Sequence, residues 1–160
     1  MYDTRNDLPA DTRTRVVELL NARLADAIDL GTQAKHAHWN VKGPNFIALH
    51  ELFDKVAETV EDHIDTLAER ITALGGTAFG TVASVAKTSS LRPYPHGIAE
   101  GLLHVDALSG VLADFGAKAR AGIDQATRLG DAGTADVFTE VSRETDKNLW
   151  FLEAHLAAQR

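Results

Sequence analysis

The stretch LHELFDKVAETVEDHIDTLAERITALGG, residues 49–76, decides the fold class. Its apolar residues Leu49, Phe53, Val56, Val60, Ile64, Leu67, Ile71 and Leu74 recur every three or four positions without an exception. That is the period of one helix face, and it is incompatible with the alternation of a half-buried strand. Gly75-Gly76 supplies the stop, because glycine enters the left-handed conformation that closes a helix at no steric cost.

Working outward, Gly43-Pro44-Asn45 breaks the chain just before this helix. Upstream, Val16, Leu20, Leu24 and Ile28 recur every four positions. With Pro9 and Asp11 as start signals, they predict a first helix running toward Ala34. Downstream, residues 75–96 hold Gly80, Ser84, Ser89, Ser90, Pro93 and Pro95. This connection is far longer than a helix-to-helix turn, with a short helix expected around Val82 to Ala86. Periodicity resumes in Ile98, Leu102, Val105, Leu108, Leu112, Phe115 and Ile123, breaks at Leu129-Gly130-Asp131, and returns in Val137, Val141, Leu149, Leu152 and Leu156. The pattern gives four long helices and no strand. Short links within the first and last helix pairs flank one long crossover, which is the ferritin-like way of building a four-helix bundle. The expected organisation is all-α, with a short N-terminal tail at 1–10 and one bundle domain at 11–160.

Composition narrows the chemistry. The 160 residues make one domain by length, and 44% hydrophobic with 24% charged residues is ordinary globular composition. There is no cysteine, so disulfides, thiolate metal sites and cysteine nucleophiles are excluded, and any metal must take nitrogen and oxygen ligands. Sixteen Lys and Arg against 23 Asp and Glu leave a net charge of -7, a field that repels nucleic acid. No apolar run is long enough for a membrane span, and Met1 to Arg15 lacks the apolar core of a secretory signal. A soluble cytoplasmic protein is the expectation.

Two pairs on the second helix point to metal chemistry. His50 with Asp54, and Asp65 with Glu69, are each four residues apart and so lie one turn above each other. Asp54 and Asp65 are eleven positions apart, which returns to nearly the same face about 16 Å along the axis. One chain's two pairs therefore cannot share an ion. If the helix packs antiparallel against its own copy across a two-fold axis, the first pair of one chain meets the second pair of the other. His38, near the end of the first helix, folds back to join His50 and Asp54. Two His, two Asp and one Glu suit ferrous iron, manganese or zinc better than magnesium or calcium. The Glu-x-x-His motif of di-iron sites inside one bundle is absent, since no Glu is followed by His at the third position.

The string His38-Trp39-Asn40-Val41-Lys42-Gly43-Pro44-Asn45-Phe46, then Leu49-His50-Glu51-Leu52-Phe53-Asp54, Asp65-Thr66-Leu67-Ala68-Glu69-Arg70, Leu74-Gly75-Gly76 and Asp146-Lys147-Asn148-Leu149-Trp150-Phe151-Leu152-Glu153 resembles the Dps family, the mini-ferritins named as DNA-binding proteins from starved cells. The resemblance runs colinearly from about Leu8 to the end. It implies a hollow homododecamer that acts as a ferroxidase. Such a shell oxidises ferrous iron, preferably with hydrogen peroxide, stores the ferric product as mineral without an organic cofactor, and protects DNA and the cell from oxidative damage. By position, it implies that His38, His50 and Asp54 of one chain and Asp65 and Glu69 of its partner hold the metal at two-fold interfaces.

Trp39, adjoining His38, is either a redox neighbour of the iron or a buried interface aromatic. Trp150 is expected in the core. His36, His63, His96, His104 and His155 are expected to be ordinary core or surface histidines. Asp124, Asp131 and Asp136 fall where the family shell has three-fold pores, and repeated around an axis they would concentrate cations. Asp136 read singly would complement the dipole in the first turn of the last helix. DNA-condensing members carry a lysine-rich tail, whereas here Arg5, Arg13 and Arg15 balance Asp3, Asp7 and Asp11, no lysine precedes Lys35, and Arg160 is the terminal cation at the other end. DNA binding is therefore expected to be weak or absent at neutral pH. The alternative is a nucleoid-associated shell that mainly compacts DNA, with iron oxidation secondary.

Overall fold

The computed structural model describes residues 1–157, and Arg160 lies outside them. Five helices occur among the described residues: α1 (Ala10–Asn40), α2 (Phe46–Ala73), α3 (Val82–Thr88), α4 (Gly101–Arg128) and α5 (Ala132–Leu156). No strand occurs among the described residues. The four long helices form two hairpins, α1 with α2 and α4 with α5, and the hairpins pack together through α1 against α4 and α2 against α5. The short α3 sits on the crossover between them, against α1.

The heptad-like stripe of α2 goes where its spacing sends it. Leu49, Phe53, Val56, Val60, Leu67, Ile71 and Leu74 are buried and meet Leu20, Leu24, Leu30, Leu108, Leu112, Phe115, Phe138 and Leu152 in one continuous core. Burying each such side chain contributes roughly 1.5–3 kcal/mol. Ile28 and Ile64 are only half-buried and face outward between α1 and α2. Trp150, expected inside, is 64% exposed: it stands on the outer face of α5 while its neighbours Leu149 and Leu152 turn inward.

Glycine closes α2 and α4 in the same way. Gly75 has φ +83°, its amide reaches Thr72 O, and the Gly76 amide reaches Ile71 O. At the end of α4, Gly130 has φ +80°, and the amides of Gly130 and Asp131 reach Thr127 O and Ala126 O. Both are two-bond closures that need a left-handed residue. At the start of α4, periodicity from Ile98 overruns the helix. Glu100 takes the cap position, its carboxylate accepting from the Leu102 amide, so α4 begins at Gly101.

The crossover is tied down by a polar seam on α1. Asp26 is fully buried and accepts from the Ser90 amide and hydroxyl, with Arg23 beside it. Asp29 accepts from the Ser89 hydroxyl, and Gln33 donates to Arg92 O. The chain before α1 is docked as well. The Tyr2 amide donates to Gly75 O, while Arg13 donates to Leu8 O and Leu74 O and so covers carbonyls at the end of α2.

Candidate metal centre

α1 runs on to Asn40, so His38 lies in its last turn, and the five-residue link 41–45 sets it beside the first turns of α2. There the His38 and His50 rings stack, with centroids 3.7 Å apart. His38 Nδ1 lies 2.8 Å from the main-chain oxygen of His50, and His50 Nδ1 lies 2.8 Å from that of His38. A carbonyl only accepts, so each Nδ1 carries the hydrogen. In the neutral rings both Nε2 lone pairs are therefore bare, which is the form in which imidazole binds a metal, with the second ring nitrogen fixing its orientation.

Asp54 joins them with Oδ1 4.0 Å from His38 Nδ1. The same oxygen accepts from Lys35 Nζ at 2.5 Å. That hydrogen bond is the largest influence and holds the Asp54 carboxyl below the usual carboxylate range against the opposing effect of burial, with the Lys35 charge adding to it. The carboxylate is thus ionised at neutral pH. Lys35 escaped the sequence reading, although its position one turn before His38 was the available signal.

A groove of about 450 Å³ opens between α1 and α2, lined by Lys35, Trp39, Asp54, Glu58, Glu61 and Ile64 among others. Glu58 and Glu61 were also missed. With Asp54 and Asp65 they complete a stripe at spacings of four, three and four along one face of α2. Trp39 is 69% exposed at this groove within the single chain. Asp65 and Glu69 are exposed farther along α2 and do not join His38, His50 and Asp54. Among the described residues, no three His, Asp or Glu side chains of one chain close around a point that could hold an ion.

A model of the ferritin-like domain family matches residues 17–160. The chain is 46% identical over 155 residues to the DNA protection during starvation protein of Agrobacterium fabrum, covering 97% of this chain and 96% of that one. The structure of Mycobacterium smegmatis Dps in its tetragonal form matches with a TM-score of 0.92 at 33% identity, over 98% of this chain and 94% of that one. The chain belongs to the Dps family. A second Dps structure, from Microbacterium arborescens in its high iron form, has a TM-score of 0.88 at 34% identity and covers 98% of this chain and 99% of that one. The ferritin-like bundle and the resemblance read from the sequence are both borne out.

Within this Dps chain the three pore candidates separate. Asp124 and Asp136 are exposed. Asp131 is 2% exposed and belongs to the fold. It is the N-cap of α5, accepting from the Thr134 amide and hydroxyl, and it pairs with Arg70 of α2 at 2.7 Å. Its charge is taken up by Arg70 and Thr134 within one chain. Asp136, expected in the first turn of α5 as a complement to the helix dipole, lies just beyond that turn, and the acidic group at this helix start is the cap Asp131. The histidines outside the centre divide between surface and core. His63 and His104 are buried, and burial pushes the His63 imidazole down against the pull of Glu140, Glu144 and Asp62. No helix among the described residues is long and apolar enough to cross a membrane.

Proposed function

We propose that this Dps-family chain is a ferroxidase that oxidises ferrous iron, preferably with hydrogen peroxide, at centres shared by two protomers, and stores the ferric product in a homododecameric shell. The supporting observation is the half-site: two bare Nε2 atoms oriented by reciprocal carbonyl bonds beside an ionised Asp54. His38, His50 and Asp54 of one protomer would hold iron together with Asp65 and Glu69 of its partner, the complement lying on the same face about 16 Å away. Iron enters as Fe(II) substrate and leaves as Fe(III), and no organic cofactor takes part. Hydrogen peroxide takes two electrons, one from each of two ferrous ions, so that no one-electron product is released. As the carboxylate turns to the metal, Lys35 gives up its bond to Asp54, and its ammonium stays beside the hydroxide formed. Residues 11–160 form the working bundle, with 1–10 as its tail.

In this reading the protein protects DNA by consuming ferrous iron and peroxide, in the cytoplasm and with at most loose nucleoid association. The net charge of -7 and the engagement of Arg13 by two carbonyls leave little for counterion-release binding to phosphates. A shell that mainly compacts DNA would need the opposite surface. The test is anaerobic ferrous loading of the assembled protein followed by peroxide, with plasmid present and ferric absorbance, retained iron and plasmid integrity all measured. Retained ferric iron, an intact plasmid and unchanged plasmid mobility near physiological salt are expected. An assembled Asp54→Ala shell that still protects and strongly retards the plasmid would replace this mechanism by coating.

Asp124 and Asp136 remain the proposed lining of the route for iron. Changing both to Asn is expected to slow ferrous uptake at low salt and to leave assembly intact, because rings of like charge act through a field that salt screens. Unchanged uptake kinetics would remove the pore.

A further inference from the structure

A second groove, of about 660 Å³, opens on the other side of Trp39 and is lined by His36, Tyr94 and His96 among others. Trp39 also lines the groove that holds Lys35 and Asp54, so one exposed indole borders both. His36 lies one turn before Trp39 on α1, and its ring meets Tyr94 edge-on with centroids 5.2 Å apart. Tyr94 itself, within the crossover, is 7% exposed. Its hydroxyl lies 2.8 Å from Nδ1 of the fully buried His104. His104 Nε2 is buried and has no hydrogen-bond partner among the described residues.

We propose that the Tyr94–His104 pair is a buried electron donor that refills Trp39 when the iron centre fires with only one ferrous ion in place. This rests on the ferroxidase reading and adds to it a fate for the unpaired oxidising equivalent. One ferrous ion gives one electron to hydrogen peroxide, and the O–O bond breaks to hydroxide and hydroxyl radical. The radical takes its electron from Trp39 and becomes a second hydroxide. Tyr94 then reduces the Trp39 radical cation, and its phenolic proton moves along the 2.8 Å hydrogen bond to His104 Nδ1. In sum, peroxide receives one electron from iron and one from Tyr94, leaving two hydroxides, a neutral tyrosyl radical and a protonated His104.

The buried setting suits this exchange. Burial, with His36 nearby, holds the His104 imidazole below its ordinary value despite Ile98 O and Glu100, so the ring is a neutral acceptor at pH 7. Burial also pushes the Tyr94 hydroxyl well above its ordinary value, so the phenol does not ionise first, and electron and proton leave together.

The test is freeze-quench electron paramagnetic resonance on assembled protein given substoichiometric ferrous iron and excess peroxide, with ferric absorbance read on the same mixture. A tyrosyl signal is expected, with one strongly coupled exchangeable deuteron in deuterium oxide from the His104 bond. Tyr94→Phe is expected to abolish the signal and leave ferric formation in place. Trp39→Phe, at an exposed position, is expected to lower the tyrosyl yield. The chain has two tyrosines, so a signal that survives in Tyr94→Phe belongs to Tyr2 and overturns the proposal, as does an undiminished yield in Trp39→Phe. Ferric product with no tyrosyl radical in the wild-type protein also overturns it while leaving the ferroxidase reading standing. Absence of ferric product removes both. The wild-type deuteron coupling decides the matter if a variant fails to fold, since a purely packing role for the pair yields no radical.

Discussion

Homogeneous assemblies of His50→Ala chains, and separately of Asp65→Ala chains, are expected to lose most ferrous oxidation, and subunit exchange between the two inactive proteins is expected to restore part of it. The expectation follows from the layout of α2. His50 stands near its start and Asp65 fifteen residues on, too far apart to serve one ion within a chain. In a mixed dimer related by a two-fold axis, one centre collects both substitutions and the other collects neither. Random pairing of equal amounts therefore leaves about a quarter of the centres intact. Verified exchange with no recovery of ferric absorbance would show that each chain builds its site alone.

The second large effect is on stability. Asp131→Ala removes the cap of α5 and leaves Arg70 without its partner at the point where α2 meets α5. Loss of one member of a largely buried pair together with a cap is expected to cost about 3 kcal/mol, read as a lower denaturation midpoint. Asp131→Asn, which keeps an acceptor for Thr134 but not the charge, should cost less. An Ala variant as stable as wild type would refute the network. The same group carries a pH signature. Burial alone would raise the Asp131 carboxyl, but the hydroxyl and amide of Thr134 and the Arg70 guanidinium outweigh it and hold it below the ordinary carboxylate range. A depressed native value means that this stabilisation is complete above the unfolded carboxylate value and is lost as pH falls through the lower native one.

Helix positions were legible because one physical signal, apolar residues at every third or fourth place, both drives helix formation and specifies the buried face. That signal does not mark where a helix begins. Ile98 fits the period of α4, yet the helix starts only after Glu100, whose carboxylate caps it. Nor does an aromatic residue near an apolar stripe have to be inside it, as Trp150 demonstrates. His38, His50 and Asp54 were legible because helix spacing and a short link fix their neighbourhood. Lys35 was not, because its importance lies in a bond between helices, and a lysine on a helix face ordinarily reads as solvated. Asp131 looked like one of three equivalent acids. Its burial, its bonds to Thr134 and the approach of Arg70 from sixty-one residues away distinguish it from Asp124 and Asp136.

The seam at Asp26 bears on how the chain reaches this fold. Each helical hairpin is made of contacts close in sequence, which form quickly, whereas joining the hairpins requires closure of the long connection 74–100. Once Ser90 is clasped to Asp26 on α1, only the ten residues 91–100 remain free before α4. By the logarithmic law of loop closure this shortening lowers the entropic cost of docking by about 0.9 kcal/mol. A buried carboxylate on the first helix thereby acts as a waypoint in folding, converting one distant search into two short ones.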